Sequence, residues 1–109
     1  MYLMIILIRW VKNLIHKIIV LVRYEDGSSK TLSIHTRDKK FTVEEFDKFT
    51  KKCSKLDKGE DVLYYTVRCK FESIGGIPDY KNNFRTQTVD GVVSVLGEIK
   101  ERYYKCMES

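Results

Sequence analysis

Residues 62–72 read VLYYTVRCKFE, and this alternation constrains the fold more than any other stretch of the chain. Tyr65, Val67, Cys69 and Phe71 fall in one register, and Tyr64, Thr66, Arg68, Lys70 and Glu72 fall in the other. A strand built from them has one apolar face and one mixed face, so it belongs to a sheet covered on a single side. With 109 residues, 43% of them hydrophobic and 32% charged, the chain is the size of one domain and too apolar to be disordered.

The flanking segments fit the same plan. Residues 18–24 (IIVLVRY) are short and β-branched, and Glu25-Asp26-Gly27-Ser28 puts Asp-Gly at the centre of a tight turn. The return strand, residues 30–36, places Leu32 and Ile34 on one face and Thr31, Ser33 and His35 on the other. A helix start follows: Thr42 can cap while Glu45 reaches back to the Thr42 amide, and Phe41 and Phe46 form a hydrophobic staple. Val43, Phe46, Phe49 and Cys53 recur at helical steps, and Lys58-Gly59 is the expected stop. Residues 73–79 hold the Gly75-Gly76 pair and Pro78, the single proline, and read as a loop; a strand near residues 83–87 returns from it. Thr88 then opens a last helix with Val92, Val95, Leu96, Ile99 and Tyr103 facing the core.

Laid over each other at a shift of about forty-five residues, the two halves put Val22 on Val67, Phe46 on Val92, Phe49 on Val95 and Cys53 on Ile99. The expected fold is α+β: a four-stranded antiparallel sheet with helices on one face, arranged as a ββα pseudo-repeat over residues 18–55 and 61–106.

Residues 1–17 precede these units. Arg9, Lys12, Asn13, His16 and Lys17 share one helical stripe, which predicts a helix over residues 2–16 with His16 on its polar surface. Leu3, Ile6, Leu7, Trp10, Val11, Leu14 and Ile15 cover the rest of its circumference, although residues 2–8 can instead pair as a strand. The charged residues leave no apolar run long enough for a membrane span, and no small-residue cleavage site follows the apolar part, so neither a span nor a signal peptide is expected.

Chemistry finds little support. Cys53, Cys69 and Cys106 lack CxxC spacing and read as buried thiols of a reducing, cytoplasmic compartment; with only His16 and His35 to join them, neither a metal site nor a cofactor is expected. Gly75-Gly76 has no following Lys-Ser, so it reads as a turn and not a phosphate cradle. Pro78-Asp79 with Glu98-Ile99-Lys100 superficially resembles the PD-(D/E)xK pattern of metal-dependent nucleases. In that family the acidic residue and the lysine project from a strand, whereas Glu98 and Lys100 fall in the last helix. His35 reads as a surface residue.

Binding is therefore the expected function. Twenty Lys and Arg against fifteen Asp and Glu give a formal +5, a mild bias toward anionic partners, with acids and bases interleaved along the chain. The leading expectation is a small regulator or inhibitor acting by protein–protein contact, through a homodimer or a target that covers Leu3, Leu7, Trp10 and Leu14. The alternative is a nucleic-acid-binding module whose mixed sheet face presents Tyr64, Arg68 and Lys70, joined by Arg23 from the equivalent strand. A membrane-surface role for the basic stripe and Trp10 ranks below both. The richness in Lys, Ile and Tyr suggests an AT-rich genome of the kind carried by phages, viruses and plasmids.

Overall fold

The computed structural model describes residues 15–37, 39–72 and 78–107, and in it the chain runs ββαββα. Strands β1 (Ile15–Tyr24), β2 (Ser29–Arg37), β3 (Val62–Glu72) and β4 (Pro78–Thr86) form one antiparallel sheet in the order β2-β1-β3-β4. Helices α1 (Val43–Cys53) and α2 (Val89–Met107) follow the two hairpins. The first strand of each hairpin lies at the centre, so β1 and β3 join the two hairpins edge to edge. Val20 pairs with Val67 and Val22 with Tyr65, and the shift that lays Val22 on Val67 exchanges these two pairs.

Period-two patterning sets which side is covered. Ile18, Val20 and Val22 of β1 and Tyr65, Val67, Cys69 and Phe71 of β3 point to one face and are buried against Phe46, Phe49, Val92, Leu96, Ile99 and Tyr103 from the helices. Burial pushes the Cys53 thiol up to about 12 and the Cys69 thiol up to about 11, which leaves both as small hydrophobes with almost no thiolate near neutrality.

An aromatic cluster closes one end of this core. Tyr103 packs its ring 4.7 Å from Phe71, 5.6 Å from Phe41 and 6.1 Å from Phe46, centroid to centroid. Its hydroxyl accepts the Phe41 N–H at 2.7 Å, and the Tyr104 hydroxyl donates to the Phe41 carbonyl at 3.2 Å. The polar groups of a backbone buried between β2 and α1 are thereby satisfied by side chains of α2. At the other end, the Tyr24 hydroxyl donates to Asp57 Oδ2 at 2.6 Å and the Tyr65 hydroxyl donates to the Asp57 carbonyl, which ties the segment after α1 to the central strands. The hydrogen bond to Asp57 holds the Tyr24 phenol up at about 12.

Local signals behave as their chemistry requires. Gly27 takes φ +91° in the β1–β2 turn, where Asp26 Oδ1 accepts from the Ser28 N–H at 2.8 Å. Gly91 is needed for space, since a Cβ there would sit 1.9 Å from Thr86 Oγ1 at the end of β4. The capping box at α1 is complete: Thr42 Oγ1 accepts the Glu45 N–H at 3.1 Å and Glu45 Oε2 accepts the Thr42 N–H at 2.9 Å. Phe41 and Phe46 meet edge to face at 6.2 Å, as the staple requires. Thr42→Ala is expected to cost about 1 kcal/mol in urea unfolding, with Thr42→Ser close to neutral; a loss below about 0.3 kcal/mol would mean that the box adds nothing to what the Phe41 anchor already fixes.

Four expectations are corrected. Ile15, His16 and Lys17 belong to β1 and not to a helix; residues 1–14, with the helix expected there and with Leu3, Leu7, Trp10 and Leu14, lie outside the described residues. His16 is wholly buried, because its strand position pairs with Phe71 on the core face and packs it against the rings of Phe41 and Tyr103. Helix α1 ends at Cys53, where the Ser54 N–H still donates to Thr50 at 2.9 Å, well before Lys58-Gly59; Val43, at its first position, is 51% exposed. Strand β4 begins at Pro78, where a missing N–H is tolerated at a strand start, and it ends at Thr86.

Candidate functional site

The outward registers of the four strands converge on the sheet face that the helices leave uncovered. Strand β1 contributes Lys17, Ile19, Leu21 and Arg23, and β3 contributes Tyr64, Thr66, Arg68, Lys70 and Glu72. From the outer strands come His35 and Arg37 of β2 and Lys81, Asn83 and Arg85 of β4. Among the described residues no helix packs on this side.

Cross-strand pairing sorts these side chains into rows. One row runs His35, Lys17, Lys70, Lys81; the next runs Ser33, Ile19, Arg68, Asn83; a third runs Thr31, Leu21, Thr66, Arg85. Arg23 and Tyr64 are direct partners one step further on. The Arg85 guanidinium lies 4.0 Å from the centre of the Tyr64 ring, a cation–π stack across neighbouring strands. A shallow depression opens between Lys17, Ile19, Arg68, Lys70, Lys81 and Asn83.

The four residues expected from sequence to contact nucleic acid, Arg23, Tyr64, Arg68 and Lys70, share this face. Lys17, Lys81, Arg85 and Arg37 join them, and the sequence reading did not connect these to the site. Alternation from Ile15 onward was the signal that could have found Lys17, since Lys17, Ile19, Leu21 and Arg23 are spaced by two. No comparable signal marks β4, whose residues PDYKNNFRT hardly alternate.

Charge is unevenly divided between this face and the rest of the chain. Among the described residues the face holds seven cations (Lys17, Arg23, Arg37, Arg68, Lys70, Lys81 and Arg85) and a single carboxylate, Glu72, which lies 2.8 Å from Lys70 Nζ. Removing these from the eighteen basic and twelve acidic residues whose side chains are described leaves eleven of each, so the described charge away from this face is balanced. Compared with protein-family models, curated proteins and solved structures, the chain matches none.

Glu98 and Lys100 both lie on α2, and Lys100 Nζ is engaged by Asp47 Oδ1 of α1 at 2.6 Å. The strand context of the nuclease pattern is thus missing for this pair. Among the described residues no group of three or more His, Cys, Asp or Glu could hold a metal ion, and no helix is long and apolar enough to cross a membrane. His35 stands exposed on β2, at the edge of the basic face.

Proposed function

We propose that this chain is a non-catalytic binding protein that takes single-stranded nucleic acid on its open sheet face. The observation that carries this reading is the segregation of charge: among the described residues, seven cations and one carboxylate on a surface contributed by all four strands. Such a face attracts a phosphate backbone by releasing its counterions. The half-buried Ile19 and Leu21 and the Tyr64–Arg85 stack offer bases the apolar and aromatic surface that a duplex keeps hidden, which favours an unpaired strand.

Fluorescence anisotropy with a labelled oligo(dT) between about 50 and 200 mM salt tests it. Affinity should fall steeply with salt, and Arg68→Ala with Lys70→Ala should weaken binding about tenfold and flatten the salt dependence by roughly 0.7 per lost cation. An intact chain that ignores the oligonucleotide, or a double variant that binds as well as its parent, would end this reading.

A second reading keeps the protein-binding regulator. Its support is β2, an outer strand whose residues from Ser29 to Arg37 are mostly exposed and whose outer edge pairs with no strand among the described residues, so that a partner's strand or a second copy can add there. It is distinguished by a salt-insensitive increase in mass on sizing.

A further inference from the structure

Within the basic face, one row stands out physically. Lys17 lies directly opposite Lys70, and Lys70 directly opposite Lys81, so three ammonium-bearing side chains occupy consecutive positions across three adjacent strands. Directly opposed residues have Cβ atoms only about 5 Å apart, and like charges there are destabilising. Among the described residues the single ion pair in the row is Lys70 with Glu72, so one carboxylate stands against three ammonium groups. The depression between them is also lined by Arg68 and Asn83, which bring one further charge and an amide.

We propose that this row is a phosphate clamp: Lys17 and Lys81 grip successive phosphodiester groups of the bound strand from either side of Lys70. This rests on the nucleic-acid reading above and adds where the backbone is held. Three compact, rotatable ammonium donors meet phosphate oxygens as point charges, and the fork of Arg68 beside them can take a phosphodiester bidentately. The strain of the free row is released when the anion arrives, so the same lysines that strengthen binding weaken the unliganded sheet. Tyr64 and Arg85 lie toward the other end of β3 and β4, which leaves them for bases while the lysines hold phosphates.

The test compares Lys17→Gln/Lys81→Gln with Lys48→Gln/Lys52→Gln, which removes the same charge from the exposed side of α1. For the row variant, oligo(dT) affinity at about 100 mM salt should fall at least tenfold and the salt slope should flatten by about 1.4. Its urea midpoint without ligand should rise. The α1 variant should stay within threefold of the parent in affinity. Equal losses in the two variants, an unchanged slope, or a lowered midpoint for the row variant would overturn the clamp while leaving the broader reading in place. Equally tight binding of a polyglutamate of matching charge would reassign the row to acidic proteins and overturn it too. If the unaltered chain fails to bind oligo(dT), it is the nucleic-acid reading that falls.

Discussion

Replacing Tyr103 with alanine is expected to remove about 4–8 kcal/mol of folding stability. The ring is wholly buried between the sheet and α1, touching Phe41, Phe46 and Phe71. Truncating a buried aromatic side chain costs about 3–5 kcal/mol. The hydroxyl lost with it accepts the Phe41 N–H, and leaving that buried donor without a partner adds about 1–3 kcal/mol. Together these match the stability of a domain at the lower end of the usual range of about 5–15 kcal/mol. Tyr103→Phe keeps the ring and isolates the hydrogen bond, so its loss should be about 1–3 kcal/mol.

Burial also pushes the Tyr103 phenol from 10.0 up to about 12, and the sign of the resulting pH dependence is fixed. A folded value above the unfolded one means that the fold excludes the phenolate. The stabilisation is intact below pH 10 and is lost as pH climbs toward 12. Urea unfolding followed by circular dichroism at pH 8 and pH 11 measures both effects. A Tyr103→Ala midpoint within about 1 kcal/mol of the parent would show that the aromatic cluster collapses into the space, contrary to the loss expected of a rigid core.

Those contacts also show what was legible in the letters. The capping box at Thr42, the Asp26-Gly27 turn and the whole of β3 were readable because each is local: a side chain meets a backbone group a few residues away, or alternates along one strand. The N-terminal boundary was misread for a related reason. Positions 9, 12, 13, 16 and 17 satisfy a helical stripe, but His16 and Lys17 are neighbours that a strand sends to opposite faces, one into the aromatic cluster and one onto the open face. Val43 fits the helical spacing of Phe46, yet it sits at the first position of α1 and stays exposed, while Phe41, just before the cap, is the residue that packs on Phe46.

Long-range pairing was not legible, and the candidate site depends on it. Arg68 and Lys70 could be placed on the mixed side of β3 from the sequence, but only the register brings Lys17 and Lys81 beside Lys70, and Arg85 over Tyr64. The same register undoes the impression of evenly mixed charge. Acids and bases alternate closely along the chain, but acids gather in turns and on helices, as at Glu25, Asp26, Glu44, Asp57 and Asp61, while the charged residues described at outward strand positions are all basic except Glu72.

That separation supports the second large effect, expected for Arg68→Glu combined with Lys81→Glu. Both side chains are exposed, so the fold has little reason to change. Position 81 faces Lys70, and a carboxylate there replaces an opposed like charge with an opposed unlike one. Circular dichroism should match the parent, and thermal stability should hold or rise slightly. Among the described residues the face, meanwhile, goes from seven cations against one acid to five against three, and a strand of phosphates approaching it meets two new carboxylates. Binding of oligo(dT) at about 100 mM salt should weaken at least about a hundredfold, because two attractive contacts become repulsive instead of merely vanishing. The pairing of intact fold with lost binding is what separates the two functional readings. A regulator that works through the β2 edge would keep its partner in this variant, since β2 and its edge are untouched. If the charge-reversed protein still bound the oligonucleotide within a few-fold of the parent, the open face would not be where nucleic acid sits.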